Sequence, residues 1–201
     1  PKHFDKWVEW ANEHNIGLDF NPTYFSHPKS SNGTLSSADD DTRNFWIEHG
    51  IRSRKIGEYF YEKTGKVCVI NHWTPDGDKE VPVDTLAPRL RLKDSYDKIF
   101  EATKDVKGVM DGIESKVFGI GLESYTVGSH EFCMGYVMNA KSDHIMMTLD
   151  TGHYHPTEVV SAKLSGVYTF ADHALLHVSR PVRWDSDHVV SFDDETRAIM
   201  E

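Results

Sequence analysis

The chain has 201 residues, 32 acidic against 22 basic side chains, a formal net charge of −10 and 38% hydrophobic residues. No apolar run approaches the ~18 residues a membrane-spanning helix needs, which excludes a membrane protein. The negative excess repels a phosphate backbone, which excludes nucleic acid as a partner, while carboxylates suit hard metal ions. Cys68 and Cys133 lie far apart in unrelated apolar surroundings and form no paired framework. That is the cysteine usage of a reducing compartment, so the expected location is cytoplasmic. The sequence opens at Pro1 without an initiating Met or a leader, and the helix start around Ser191 to Glu195 is left unfinished at Glu201. Both ends therefore read as cut.

An amphipathic helix around Trp7, Val8 and Trp10 precedes a first expected strand at 16–20, which runs into the turn-rich segment from Asn21 to Pro28. A long helix starts near Ser37. The second strand, 66–71, ends in His72-Trp73-Thr74-Pro75-Asp76-Gly77-Asp78, and Pro88 sits in the first turns of the helix from about Thr85. The third strand, 112–116, opens into Phe118-Gly119-Ile120-Gly121 before a helix near Ser129. The fourth and fifth, 145–150 and 175–179, flank a helix whose start is marked by Pro156 and Thr157. Short apolar runs alternating with amphipathic stretches predict βα units in a single α/β domain over 1–201. Sheets of this kind carry their polar residues beyond the carboxyl ends of the strands.

Three clusters fall there. In Glu114-Ser115-Lys116, strand alternation puts the carboxylate and the ammonium on one face; for the triplet alone, a plain ion pair at a strand end is the better explanation. Asp150-Thr151-Gly152-His153-Tyr154-His155-Pro156 packs a carboxylate and two imidazoles around a glycine, as ligands or as a helix cap with a surface histidine. His177 lies inside an apolar run, where a hydrogen-bonded core histidine is the ordinary role. It is followed by Arg180, Arg183, Trp184, Asp185, Ser186, Asp187 and His188, and Arg183 with Asp185 reads also as a salt bridge. As a set, Glu114, Asp150, His153, His177, Asp185 and Asp187 converge at the ends of consecutive strands. Mixed carboxylate and imidazole donors without thiolate suit Mn²⁺, Mg²⁺, Co²⁺ or Zn²⁺, and six groups suffice for two ions. Trp73 is the aromatic best placed to meet a sugar face, while Tyr24 and Phe25 are expected to pack or form an interface.

These residues resemble the L-rhamnose isomerase family, metal-dependent aldose–ketose isomerases of the xylose-isomerase-like barrel group, and match its central part end to end. The resemblance rests on Leu18-Asp19-Phe20-Asn21-Pro22 through Ser26-His27-Pro28, Trp73 to Gly77, Glu114 to Gly121, Glu123 to Ser129, Asp150 to Glu158 and His177 to Val190. It implies a (β/α)₈ TIM barrel of which this chain holds strands three to seven, truncated at both ends. It implies Glu114, Asp150 and His177 as ligands of a substrate-anchoring metal, completed by an aspartate of the eighth strand. His153, Asp185 and Asp187 would hold a catalytic metal, and Lys116 and Trp73 would contact substrate, with Glu114 also facing the sugar. Lys116, Asp185 and His153 carry the chemistry in this reading, a metal-assisted hydride shift between C2 and C1 of open-chain L-rhamnose giving L-rhamnulose. Two divalent ions, Mn²⁺ first among Zn²⁺, Co²⁺ and Mg²⁺, and a homotetramer at full length are the implied cofactors and assembly. The competing readings are another two-metal barrel, a sugar epimerase or a phosphoester hydrolase, and an inactive remnant. Five strands cannot close eight, so the piece alone is expected to aggregate or to bind metal weakly.

Overall fold

The computed structural model describes residues 2–116 and 124–201. The segment from Phe118 to Gly121, and Glu123, lie outside the described residues. In chain order the strands are β1 (Cys68–Trp73), β2 (Gly77–Asp78), β3 (Val109–Glu114), β4 (Tyr125–Thr126), β5 (Ile145–Asp150) and β6 (Ala174–His177). The helices are α1 (Asp5–Glu13), α2 (Asp40–Thr64), α3 (Leu86–Ala102), α4 (His130–Ala140), α5 (Val160–Tyr168) and α6 (Asp194–Met200). β1, β3, β5 and β6 form one parallel sheet in that spatial order, with α3, α4 and α5 as the successive connections. This is the wall of a partial (β/α) barrel. β2 and β4 pair antiparallel in the segments that follow β1 and β3.

Alternation along the strands separates two faces. Cys68, Ile70, Val109, Ile113, Met147 and Leu149 are buried in the apolar clusters between sheet and helices. Asn71, Trp73, Gly112, Glu114, Thr148 and Asp150 occupy the other face and climb toward the carboxyl ends, in register Asn71↔Gly112, Trp73↔Glu114, Glu114↔Thr148 and Asp150↔His177. α2 is started by Asp39, whose carboxylate accepts the Thr42 N–H at 2.8 Å, and α6 by Asp193 on Thr196 at 2.9 Å. Asp76 pins the loop beyond β1, its two oxygens accepting from the amides and hydroxyls of Thr34 and Ser36 at 2.6–2.9 Å. Among the described residues, no helix is long and apolar enough to cross a membrane.

The boundaries depart from expectation in places with physical causes. The strand expected at 16–20 is reduced to one parallel bridge, Phe20 to Ile70. The Phe20 N–H reaches the Val69 carbonyl at 2.9 Å, but the Val69 N–H, which the next rung needs, goes to the Asp19 carboxylate at 2.8 Å. β1 runs two residues later than expected because its ladder with β3 extends to Trp73↔Glu114. β3 stops at Glu114, since the Lys116 N–H turns to the Gly128 carbonyl at 3.0 Å. α5 begins at Val160, after two turns closed by His153 N–H on Asp150 O and Glu158 N–H on His155 O. In α1, Val8 and Ala11 face inward while Trp7 and Trp10 stay largely exposed.

Candidate metal centre

Glu114 and Lys116 share a face as alternation requires, and both are buried at the carboxyl end of β3. Ser115 points the other way, its hydroxyl 3.0 Å from the Tyr154 hydroxyl. The Lys116 ammonium pairs with Asp185 Oδ2 and lies 4.9 Å over the Trp73 ring. Asp150 closes β5 with its carboxylate split between two tasks. Oδ1 accepts from the Gly152 N–H at 2.7 Å and the Ser179 hydroxyl at 3.1 Å, and Oδ2 faces the imidazoles. A Cβ on Gly152 would lie 2.7 Å from Ser179 Oγ and 3.2–3.3 Å from the Asp150 and Asp185 Oδ1 atoms, so only glycine leaves this corner open.

The imidazoles sit among the carboxylates. His153 Nε2 is 3.0 Å from Asp185 Oδ2 and 3.3 Å from Asp150 Oδ2; its Nδ1 is 3.0 Å from the Ser115 carbonyl and 3.2 Å from Glu114 Oε1. A carbonyl only accepts, so Nδ1 carries a proton; Nε2, which donates to Asp185 Oδ2 in this structure, is the nitrogen that would turn its lone pair to a cation. His177 Nδ1 is 2.6 Å from Asp150 Oδ2 and 3.6 Å from Glu114 Oε1, and Asp187 lies 3.9 Å from its Nε2 on the exposed side. The loop carrying Asp185 and Asp187 is closed by paired backbone hydrogen bonds between Arg180 and His188 at 2.8 and 3.1 Å. Within it Arg183 and Asp187 adopt left-handed backbone, with φ of 68° and 49°, the kind of local strain that gathers at binding sites.

All six expected ligands thus fall in one place. Two groups bring their ligand atoms within 4.8 Å of one another: Glu114, Asp150 and His153, and Asp150, His177 and Asp187. This division differs from the one the resemblance implied, because Asp150 stands between both groups and Asp187 sits beside His177 rather than His153.

Among the described residues, three buried carboxylate oxygens, Glu114 Oε1, Asp150 Oδ2 and Asp185 Oδ1, receive no aligned hydrogen bond. Imidazole nitrogens lie close to the first two, with His177 Nδ1 2.6 Å from Asp150 Oδ2 and His153 Nδ1 3.2 Å from Glu114 Oε1, in charge contacts rather than aligned hydrogen bonds. Three buried carboxylates are costly even beside Lys116 and two imidazoles, and bound cations would offset that cost. The donors are oxygen and imidazole nitrogen. The cysteines are buried and free, and burial raises both thiols, Cys68 to about 12 and Cys133 further, so neither offers a thiolate. The residues present therefore fit a divalent cation of the hard-to-borderline class.

Without a cation the site polarises itself. Contact with the Asp150 and Glu114 carboxylates, outweighing burial, lifts His177 to about 10. Burial works to raise Asp150, but His177, His153 and the Gly152 N–H hold it at about 2. Burial works against the His153 imidazolium, but Asp185, Asp150 and Glu114 raise it above its usual range. Asp185, pushed up by burial, is held low by His153 and Lys116. The carboxylates thus favour a protonated His177 at neutral pH, and on the proposed ligand set a cation would displace that proton. Cation affinity is expected to rise with pH from 7 toward 10, with proton release on binding, measured by titration calorimetry in buffers of different ionisation enthalpy. In the metal-free protein the His177 contribution to stability is complete below 6.5 and fades as pH rises through about 10; that of Asp150 is complete above 3.8 and fades through about 2.

Trp73 walls the site, its ring 5.9 Å from that of His153 and 5.1 Å from the half-exposed Phe25 in an edge contact. The buried Trp73 Nε1–H has no partner among the described residues. Tyr24 packs, as expected, fully buried with its hydroxyl 2.9 Å from His72 Nδ1. Sequence reasoning passed over Asn71 and Ser179, which hydrogen-bond the candidate ligands Glu114 and Asp150, Thr148, which hydrogen-bonds Asn71, and the buried Arg54, His72 and Asp111 beneath them. Asn71 was reachable: it stands two residues before Trp73 on the same strand face.

The model of the L-rhamnose isomerase family matches residues 1–201. The chain is 57% identical over 199 residues to the L-rhamnose isomerase of Mannheimia succiniciproducens, covering 99% of this chain and 47% of that protein. It is 55% identical over 196 residues to that of Listeria monocytogenes, covering 97% and 46%. The chain thus spans about half the length of the curated relatives it matches. Among solved structures, the 3-keto-D-glucoside 4-epimerase of E. coli is similar with TM-score 0.66 at 12% identity, over 99% of this chain and 73% of that one. An L-ribulose 3-epimerase gives 0.61 at 15%, over 85% and 54%. These two likenesses establish the barrel fold and nothing about the reaction.

Proposed function

The chain belongs to the L-rhamnose isomerase family, and on that premise we propose that the full-length protein interconverts L-rhamnose and L-rhamnulose at the centre described above. The observation that carries the reading is the set of three buried carboxylate oxygens that receive no aligned hydrogen bond among the described residues, in a site whose buried Lys116 pairs with Asp185 and lies over Trp73. Aldose–ketose isomerisation moves one hydrogen between C2 and C1 and one proton between their oxygens. Two divalent ions, when bound, supply Lewis acidity toward those oxygens and lower the pKa of coordinated water. On the division the resemblance implies, Glu114, Asp150 and His177 would hold the ion that anchors the sugar, and His153, Asp185 and Asp187 the one nearest the reacting carbons; in this structure Asp150 also lies beside His153, and Asp187 beside His177.

Lys116 is fixed by Asp185 and by the Trp73 face, so its positive charge is preorganised toward negative charge developing on O1. Trp73 offers an apolar wall and a free Nε1–H for a sugar hydroxyl, and with Phe25 it keeps water off one side of the substrate. Mn²⁺ is the proposed ion, on the oxygen-rich, thiolate-free donor set. The homotetramer follows the family resemblance, and the cytoplasmic location follows both that and the two free, buried cysteines.

The test strips the full-length protein with EDTA and measures ketose formation from L-rhamnose with and without Mn²⁺. Turnover that needs Mn²⁺ and is lost in Asp185→Ala is the expected result. A protein that binds metal but leaves L-rhamnose and related aldoses untouched defeats the proposal.

A further inference from the structure

The two oxygens of Glu114 have different surroundings. Oε1 is buried without an aligned hydrogen bond and faces the imidazoles, whereas Oε2 accepts a hydrogen bond from the Asn71 side-chain amide. The Asn71 Oδ1 in turn accepts from the Thr148 hydroxyl at 2.9 Å. The chain Thr148, Asn71, Glu114 crosses three neighbouring strands, β5, β1 and β3, on the inner face of the sheet. It passes over Gly112, the register partner of Asn71. A Cβ on Gly112 would lie 2.3 Å from Thr148 Oγ1 and 3.3 Å from Asn71 Oδ1, so the missing side chain is what lets the outer two strands meet across the central one.

Each proton in this chain has one place. A carboxylate only accepts, so the amide nitrogen must face Glu114; Oδ1 then faces Thr148, whose hydroxyl must donate. Rotating the Glu114 carboxylate would break the bond to Oε2, and turning the amide would set two acceptors against each other. We infer that Asn71 and Thr148 are positioning residues that tie down Glu114 Oε2 and thereby aim Oε1 at the cation, an inference that rests on the metal centre proposed above. A histidine ligand with its second nitrogen on a carbonyl is a common arrangement; here a carboxylate ligand is oriented in the same manner by a two-residue relay.

The experiment uses the full-length protein, stripped with EDTA, then titrated with Mn²⁺ by calorimetry and with Co²⁺ by visible absorption. Thr148→Val keeps the side chain's shape and deletes its hydroxyl; Asn71→Leu deletes the amide. Each is expected to weaken Mn²⁺ binding about 10–100-fold and to alter the Co²⁺ bands, while Thr148→Ser stays within about threefold of the parent. Unchanged Mn²⁺ affinity and Co²⁺ spectrum in a folded Thr148→Val or Asn71→Leu overturn the inference. So does a Thr148→Ser as weak as Thr148→Val, and so does failure of both deletions to fold, which assigns the relay to stability. These readouts do not depend on sugar turnover. A protein that binds Mn²⁺ through this relay but leaves L-rhamnose untouched refutes the proposed function and supports the inference.

Discussion

In the full-length protein, Asp150→Asn is expected to abolish cation binding and to lower the proposed isomerase turnover at least about 10³-fold. Asp150 belongs to both ligand groups, so no other single change removes as much of the centre. The amide is nearly isosteric, and its oxygen can still accept from the Gly152 N–H and the Ser179 hydroxyl, which preserves the loop. What is lost is Oδ2, the buried oxygen that faces His153 and His177. A nitrogen carrying two hydrogens there cannot ligate a cation. The several kcal/mol of transition-state stabilisation that a bound metal supplies, about 4 kcal/mol for a factor of 10³, sets the scale. Calorimetric Mn²⁺ titration beside steady-state ketose formation checks it, and an Asn variant that keeps its metal and turns over within tenfold of the parent contradicts it.

Asp111→Ala is expected to cost the full-length protein about 3–5 kcal/mol of stability, read from the denaturant midpoint. Asp111 is fully buried on the helix-facing side of β3. Arg54 of α2 spans it, with Nε 3.1 Å from both oxygens and a second nitrogen 3.0 Å from Oδ2, and His72 Nε2 lies 2.8 Å from Oδ1. Removing the carboxylate strands a buried guanidinium whose other donor goes to the Thr103 carbonyl at 2.8 Å. The double variant Arg54→Met with Asp111→Leu is expected to recover much of the loss, because it removes both charges together. Loss of the carboxylate also frees His72, which carries Tyr24 on its Nδ1 and precedes Trp73, so the wall of the metal centre loosens with the core.

The strand read from 145 to 150 is β5 to the residue, because an apolar run bounded by a turn and ending in Asp has one plausible register. The strand read at 16–20 collapsed to a bridge because the Asp19 carboxylate competes for the Val69 N–H, a contact between residues 50 positions apart. That the six candidates gather in one place was legible because the ends of parallel strands and the loops beyond them lie on one side of the sheet, and the period of two places Glu114 and Lys116 together. Asn71 and Thr148 were not, since their pairing depends on the space above Gly112.

Composition and pattern by themselves determined the βα alternation, the polar ends of the strands and the oxygen and nitrogen character of the donors, since these follow from local periodicity and side-chain chemistry. Only the tertiary structure decided which oxygen of each carboxylate is satisfied and which is bare. It also decided that Asp150 stands between both ligand groups, that Lys116 is held by Asp185 and the Trp73 face, and that Arg54, Asp111 and His72 form a buried charged layer beneath. Those outcomes depend on which strands become neighbours and on where a missing Cβ leaves room, and neither is a property of any stretch of chain taken alone.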